Sequence, residues 1–322
     1  MTEDTGSQVQ PARAAAPAVS AAPEAAPLSA GPRPVTARVL LVDKPVGPTS
    51  FDVVRAARRG VGRRVGHAGT LDPFATGLLL VLMGQATRVS SLLMGLPKEY
   101  DLTVQFGAIS STADPTGTIT PTGGRVRAEQ VLGSLDGLRG RIKQKVPLTS
   151  AVKVDGQPLY KRAHRGETIE TPEREVMVYD LTMIGFDEEA QTARLLALTG
   201  SGTYARVLAE EIGAITGAGA YAASLRRTRI GPFTVDDALS LGELSPERYE
   251  LGGRGVVTLD EALAFLPRYD ASPSDIRLAS NGNELQNAQW PRFRVYGEDR
   301  LMAVYERKGE VARPLVVFPR TA

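Results

Sequence analysis

Hydrophobic residues first cluster after residue 38, where their pattern predicts a strand, a turn and a helix. In RVLLVDKPVGPTSFDVVRAARR, residues 39–42 form a short apolar run typical of a buried strand. The DKPVGP segment contains proline and glycine and predicts a turn. Thr49 or Ser50 can then cap a helix that carries Val53 and Val54 on its apolar face.

Later segments extend this pattern to a mixed fold. GLLLVLMG is a second apolar run, and MVYDLTMIGF and ARLLALTG are strand-like. In EYDLTVQFG, Tyr100, Leu102, Val104 and Phe106 alternate with polar positions, which predicts a strand with one buried face. YARVLAEEIGAITG has helical spacing and ends near Gly217. Because no regular βαβ repeat is present, we expect an α+β fold with a mixed, largely antiparallel sheet flanked by helices.

The two ends of the chain differ from this main domain, which we place at 36–250. Residues 1–35 are mainly alanine, proline and small polar residues, so we expect a disordered tail; the acidic start and the lack of an apolar core disfavour a targeting peptide. VVTLDEALAFLP predicts a short helix ending at Pro267, within a connecting segment at 251–267. The strand-like pieces FRVYG, LMAVYER and PLVVF then predict a small β-rich module at 268–322.

Composition limits the chemistry available to the chain. Its 322 residues include no cysteine and two histidines, which excludes disulfides and thiolate catalysis and leaves little to hold a metal. No apolar run approaches the roughly 20 residues that a membrane helix needs, and we expect a cytoplasmic protein. The formal net charge is only +2, but basic residues concentrate at 55–64, 141–165 and 226–229. These stretches are either solvated faces or parts of a phosphate-binding surface.

GHAGTLDPFATG, residues 66–77, is the most unusual motif in the chain. It lacks the GK pair of a phosphate-binding P-loop, and the preceding glycines lack the spacing of a dinucleotide fingerprint. Local sequence alone leaves two interpretations of Asp72: a turn residue before proline or a catalytic carboxylate.

The motif resembles the catalytic loop of the TruB-type tRNA pseudouridine synthases of bacteria. Other blocks match that family in order and spacing: LLVDKPVGPTS, KEYDLTVQFG, SAVKVDGQPLYKRAHRG, GSGTYARVLAEEIG and AASLRRTRIGPF. The resemblance runs from about Val39 to the C-terminus. It implies isomerisation of a T-loop uridine of tRNA, position 55, to pseudouridine by a monomeric enzyme without cofactor or metal. It also implies that the C-terminal piece, where NGNEL is a modest marker, is a PUA-like RNA-binding module.

By this resemblance the catalytic residues are Asp72, Tyr100 and Arg206. Asp72 is expected to act as nucleophile on a flipped-out uridine, at C1′ of the ribose or C6 of the base, and the sequence leaves that choice open. Arg206 is expected to lie beside Asp72 and to offset its desolvation, and we expect Arg206→Met to spare the fold. Tyr100 is expected to stack on the target base and to assist proton transfer. Without the resemblance, Arg206 would be a helix-surface residue and Tyr100 a core residue.

The resemblance also implies substrate-binding positions. His67 is expected to pack on nucleotides around the place that the flipped uridine leaves. Tyr204 and Leu225 match positions that line the pocket, and a core role suits Leu225 equally well. Lys44 belongs to a signature that supports the active-site loop and is a further substrate-binding candidate.

Two positions depart from the family's pattern: Phe74 replaces a leucine, and Thr149 stands where the family commonly has an aromatic residue. These departures leave the packing of the pocket wall open.

Two other classes of function remain open on the sequence. A non-catalytic RNA-binding or tRNA-folding protein would need the basic surfaces but not Asp72, Tyr100 and Arg206 together. A glycoside hydrolase would need a second catalytic acid roughly 5 to 10 Å from Asp72, and no motif supplies one.

Overall fold

The computed structural model describes Met1 and residues 37–61, 64–150, 152–154, 156–159, 165, 171–286 and 289–319. From residue 37 on, the described residues belong to one compact unit. The predicted tail, apart from Met1, lies outside the described residues. So do Arg63, Lys161 and Arg162 of the basic stretches.

The strands are named in chain order. They are β1 (Arg38–Lys44), β2 (Val65–Ala68), β3 (Thr76–Met83), β4 (Lys98–Phe106), β5 (Ala108–Ser110), β6 (Ile119–Pro121), β7 (Gly140–Lys145), β8 (Lys153–Val154), β9 (Gln157–Pro158), β10 (Glu173–Asp187), β11 (Thr192–Thr199), β12 (Ala220–Ile230), β13 (Phe233–Thr234), β14 (Val256–Thr258), β15 (Arg268–Asp270), β16 (Leu285–Gln286), β17 (Arg292–Gly297), β18 (Arg300–Lys308) and β19 (Val311–Val317).

The α-helices begin and end at recognisable signals. They are α1 (Ser50–Ala57), α2 (Ser90–Met94), α3 (Ala128–Leu135), α4 (Ala205–Thr216), α5 (Pro246–Leu251), α6 (Leu259–Ala262) and α7 (Pro273–Ser280). Thr49 caps α1 in a reciprocal pair with Asp52, as one of the two predicted caps. Gly217 ends α4 with φ +74°, a left-handed conformation that glycine adopts without strain.

Ten of the described strands form one sheet, in the order β14-β1-β3-β12-β4-β11-β10-β7, with β2 beside β3 and β13 beside β12. Its pairings are antiparallel except for the short parallel contact of β12 with β3. The alternation predicted for β4 is present, because Tyr100, Leu102, Val104 and Phe106 are all buried. Helix α4 packs on β12 and β4. The expected mixed α+β fold is therefore confirmed.

A five-stranded sheet, β15-β17-β18-β19-β16, forms the C-terminal β-rich module. It shares a hydrophobic cluster with the large sheet, in which Val304, Val316 and Phe318 meet Leu263 and Leu266. The helix predicted to end at Pro267 is wrong in extent: α6 ends at Ala262. Beyond it the chain continues in tight turns whose amides bond three residues back, which carries both leucines into the cluster.

The sequence pattern also missed helix α7, although its start signal is clear. Ser272 caps it and Pro273 is its first residue, an arrangement that commonly begins a helix. Its one fully buried residue is Ala279, so the hydrophobic periodicity was weak. In the described part of the chain, no helix has both the length and the apolar character needed to cross a membrane.

Candidate active site

The GHAGTLDPFATG motif forms β2, a loop and the start of β3. The loop, taken together with the first two residues of β3, runs from Gly69 to Gly77, and both glycines have positive φ, +94° and +102°. A side chain at either position would be strained, so the sequence needs glycine at both ends of the loop. Asp72 lies at the centre of this turn, with its neighbour Pro73 exposed.

The loop is held through its backbone. Ser50, at the start of α1, both donates to the carbonyl of Leu71 (3.0 Å) and accepts from its amide (2.8 Å). The Asp72 carbonyl accepts from the Ala75 amide (3.1 Å). The Pro73 carbonyl accepts from the Gly47 amide (2.8 Å) and from Nζ of Lys44 (3.3 Å).

Arg227 of β12 completes this set. Its guanidinium donates to the carbonyls of Gly69 (3.1 Å) and Thr70 (3.3 Å). Every carbonyl from residue 69 to residue 73 therefore has a donor, and the Asp72 side chain starts from a fixed backbone.

Lys44, one of the predicted substrate-binding residues, contacts the loop from the buried side. Its side chain is fully buried, and Nζ donates to the carbonyls of Pro45, Pro48 and Pro73. Burial is the main reason that its pKa falls to about 8, while the negative charge of Asp72 acts in the opposite direction. The geometry fits support of the loop and leaves no Lys44 surface for substrate.

Helix α4 carries Arg206 in its first turn and directs it at Asp72. Nη1 of Arg206 donates to Oδ2 of Asp72 and, at 3.2 Å, to Oδ2 of Asp114; Nη2 donates to Oγ1 of Thr149 at 3.0 Å. The side chains of Arg206 and Asp114 are 2% and 4% exposed, against 30% for Asp72. Asp72 is thus the carboxylate of this cluster that a substrate can reach.

The electrostatics of Asp72 balance opposing effects. Desolvation raises the pKa of Asp72 above its ordinary 3.8, and the negative charge of Asp114 adds to the rise. The charge and hydrogen bond of Arg206 oppose it, with a smaller contribution from Lys44. A carboxylate held in this way is less solvated than one in water and retains a cation that stabilises its ionised form.

Asp114 was not identified from the sequence. It lies in the turn between β5 and β6, where Oδ1 accepts from Oγ1 of Thr112 (2.7 Å) and from the amide of Thr116 (2.9 Å). Local sequence offered one signal, a second Asp-Pro pair at 114–115 in a turn-forming segment. Its approach to Arg206 depends on long-range packing and could not be read from that pair.

The other predicted pocket residues lie on neighbouring elements. Tyr100 and Leu225 are 6% and 5% exposed and belong to the hydrophobic cluster that contains Leu71 and Ala75, on either side of Asp72. Phe74 packs against the same cluster.

Tyr204 is half-buried at the N-cap of α4. Its amide donates to Oε1 of Gln144 at 3.0 Å, and Gln144, fully buried on β7, is another residue that the sequence pattern missed.

His67 lies on β2, paired with Val81 of β3, and is half-buried. Burial, and to a lesser extent the charge of Arg227, lower the pKa of His67 below 6.5, so the imidazole is neutral at pH 7. Its Nδ1 has no hydrogen-bond partner among the described residues. This half-buried ring presents a surface that can pack against a nucleotide. No three described His, Asp or Glu side chains are grouped as metal ligands.

The described residues of the three basic stretches differ in their surroundings. Arg226 and Arg229 pair with Asp43 and Glu99, and Arg141 pairs with Glu175. The three pairs have substantially exposed members. Arg227, which lies between Arg226 and Arg229 in the sequence, is instead buried.

Comparisons with known proteins agree on one family. Residues 58–205 match the model of the TruB family pseudouridylate synthase, N-terminal domain. The tRNA pseudouridine synthase B of Thermobifida fusca (strain YX) is 38% identical over 292 residues, covering 87% of this chain and 98% of that protein. The corresponding protein of Aquifex aeolicus (strain VF5) is 34% identical over 284 residues, covering 85% and 97%.

Solved structures share the fold at lower identity. A chain in the crystal structure of a Cbf5-Nop10-Gar1 complex has a TM-score of 0.67 at 24% identity, covering 88% of this chain and 85% of that one. A chain in the structure of an H/ACA RNP bound to a substrate RNA containing 2′-deoxyuridine has a TM-score of 0.65 at 23% identity, covering 88% and 86%.

Proposed function

The chain belongs to the TruB family of pseudouridylate synthases, and we propose that it isomerises a uridine in the T loop of tRNA, position 55, to pseudouridine. The reaction breaks the bond from C1′ to N1 of the base and forms one from C1′ to C5. The proton on C5 is lost and N1 gains one, so there is no net change in composition or redox state. The observation that carries the proposal is the pairing of the accessible Asp72 with the buried Arg206 on a fixed loop.

Asp72 is the nucleophile in this proposal. A carboxylate can attack an electrophilic carbon only while ionised, and the uncharged base that covers it removes more of its water. Arg206 limits the resulting rise in pKa because it is already bonded to Asp72 and is itself buried. Asp114 and Thr149 hold the same guanidinium in place, so little reorganisation is needed during the reaction.

The surrounding residues receive substrate. Tyr100 stacks on the flipped base and assists proton transfer at C5 or C2′, and Leu225 and Tyr204 form the pocket wall. His67, neutral and half-buried, packs on nucleotides beside the place that the uridine leaves. We also propose that the chain acts on the T arm in the cytoplasm. One chain supplies every member of the Asp72 cluster, which supports action as a monomer. Residues 268–322 serve as a PUA-like RNA-binding module in this proposal.

The second carboxylate does not favour a glycoside hydrolase. Asp72 and Asp114 accept hydrogen bonds from the same nitrogen of Arg206, which leaves no room for a sugar ring between them. Asp114 is also buried and so cannot protonate a leaving group.

The test is incubation of the full chain with an unmodified tRNA transcript, followed by mapping of pseudouridine. The wild type should modify the T loop and should leave a transcript with cytidine at position 55 unmodified. Asp72→Asn should lower turnover by at least about 10⁴-fold, whereas the exposed Asp136→Asn should be near wild type. Tyr100→Phe should lower turnover by on the order of 100-fold without loss of stability, and His67→Ala by less. Absence of T-loop product from the wild type would refute the proposal.

A further inference from the structure

Arg227 is a buried cation whose described partners are all backbone carbonyls. Its side chain is 1% exposed, and Nε donates to the Leu78 carbonyl at 2.7 Å in addition to the bonds to Gly69 and Thr70. Within the described residues no carboxylate forms an ion pair with it. Burying a guanidinium without a counterion is costly, so its position calls for a function beyond packing.

The acceptors of Arg227 show which segment it organises. Gly69 and Thr70 begin the loop that carries Asp72, and Leu78 follows its end. One planar side chain therefore joins the start of the loop to strand β3. A fork of N–H groups suits this task because its donors are fixed relative to one another.

The backbone of Arg227 contacts the same loop at its far end. Arg227 pairs with Gly77 in the parallel contact of β12 with β3. A Cβ on Gly77 would overlap the carbonyl oxygen of Arg227, so the two backbones meet more closely than any other residue would allow. At the near end, a Cβ on Gly69 would lie 3.8 Å from Nη1 of Arg227. Side chain and backbone of one residue thus hold both glycine ends.

Strand β12 relates this contact to the rest of the site. Arg227 lies opposite Tyr100 of β4, and Leu225, two residues earlier, lies opposite Leu102. The residue that holds the loop is therefore in register with the predicted base-stacking tyrosine. A shift of β12 would move the loop and the pocket wall together.

We propose that Arg227 is a positioning residue, which fixes the loop from Gly69 to Gly77 and thereby the placement of Asp72 relative to Arg206. Arg227 acts through the loop and does not touch the substrate. This inference rests on the proposed function for its catalytic consequence, whereas its effect on the loop can be measured separately.

The experiment compares Arg227→Met, Arg227→Lys and Val256→Ala in the full chain. Val256 is buried on β14, at the edge of the large sheet, in a hydrophobic cluster that contains no residue of the loop, and it controls for a general loss of stability. Two quantities are measured with an unmodified transcript, below the melting temperature of each variant. They are the single-turnover rate at saturating enzyme concentration and the affinity for the tRNA. Hydrogen exchange is followed at the Leu71 and Ala75 amides, which bond within the loop and its support.

Arg227→Met should slow the single-turnover rate by on the order of 100-fold, as small misplacements of reacting groups do, with tRNA affinity within about threefold. Exchange at both amides should rise at least about tenfold. Arg227→Lys retains the positive charge but not the forked set of donors, so its rate and loop exchange should lie between those of the wild type and Arg227→Met. It replaces Arg227→Met in the experiment if that variant does not fold. Val256→Ala should melt earlier but keep its rate and loop exchange.

Unchanged loop exchange in a folded Arg227 variant would overturn the inference. So would a defect confined to tRNA affinity, which would make Arg227 an RNA contact. If the wild type produced no pseudouridine, the proposed function would fail, and the exchange measurement would still decide whether Arg227 holds the loop.

Discussion

Buried cations surround the Asp72 loop, and they are partnered in two different ways. Arg206 donates to two carboxylates, Asp72 and Asp114. Lys44, Lys98 and Arg227 donate in the described structure to backbone carbonyls. The first arrangement affects the charge state of the proposed nucleophile, and the second fixes the path of the backbone. The difference follows from the acceptors, because a carboxylate can change its charge and a carbonyl can only be held in place.

The comparison predicts different consequences for removing each kind of cation. Loss of the carboxylate-bound cation leaves buried negative charge and should affect catalysis and folding together. Loss of a carbonyl-bound cation leaves neutral dipoles, so its effect depends on which backbone segment those dipoles belong to. Arg227 holds the loop itself, whereas Lys98 holds the turn after α2 through the carbonyls of Met94 and Leu96.

Among these cations, the largest effect is expected for Arg206→Met. Turnover should fall on the order of 10³-fold, because Asp72 loses the cation that stabilises its ionised form. Stability should also fall, by about 3 kcal/mol, because Asp114 remains as a buried carboxylate without its cation. The structure therefore changes the expectation from sequence that this substitution spares the fold.

Single-turnover kinetics and urea denaturation of Arg206→Met and Arg206→Lys measure the two effects. The lysine variant retains the charge and should recover most of the stability but not the geometry. Near-normal turnover in either variant would contradict the role assigned to the pair.

A smaller effect, with a diagnostic pH dependence, is expected for Asp114→Asn. In the proposed mechanism turnover requires ionised Asp72, so it should decrease as the pH falls through the pKa of Asp72, which desolvation and then Asp114 raise above 3.8. Removing the charge of Asp114 lowers that pKa, and the acidic limb should move to lower pH. On the plateau the rate should drop by about tenfold, because Arg206 loses one of the groups that orient it.

The measurement is the single-turnover rate as a function of pH for the wild type, Asp114→Asn and Asp136→Asn. The exposed Asp136 variant should follow the wild-type profile. If the acidic limb of the pH–rate profile of Asp114→Asn stays in place or moves to higher pH, the charge of Asp114 does not raise the pKa of Asp72.

The sequence predicted the features that depend on local patterns. The alternation in β4 and the helix signal ending at Gly217 were both recovered, because each arises from side chains close in the chain. Helix α6 was predicted too long, since Leu263 and Leu266 continue a helical spacing while their backbone forms tight turns. Burial in a cluster shared with the second sheet decided that conformation, and no local pattern contains it.

The site shows the same limit more sharply. Asp72 could be singled out through its motif, but Asp114 meets Arg206 across 92 residues and Gln144 meets Tyr204 across 60. Arg227 was predicted only as part of a basic stretch, yet it is buried while Arg226 and Arg229 form partly exposed ion pairs. Charge spacing on a strand cannot distinguish these cases, because the distinction depends on which face meets the loop.

The smallest effect on catalysis is expected for Lys98→Met. Burial, and then the nearby charge of Arg227, lower the pKa of Lys98 from 10.5 to about 8. Between those values the unfolded chain binds a proton that the folded chain does not, so the contribution of Lys98 to stability rises with pH. The rise amounts to about 3 kcal/mol between pH 8 and pH 10.5.

Replacing Lys98 by methionine removes this pH-dependent contribution. The free energy of unfolding of the wild type should therefore increase relative to that of the variant over this range. Urea denaturation of both proteins at the two ends of the range measures that shift, while turnover at neutral pH should change by less than about tenfold because the acceptors of Lys98 lie outside the loop. A pH-independent difference would mean that Lys98 keeps its proton throughout, and a collapse of turnover would mean that the carbonyl-bound cations govern the chemistry as directly as Arg206 does.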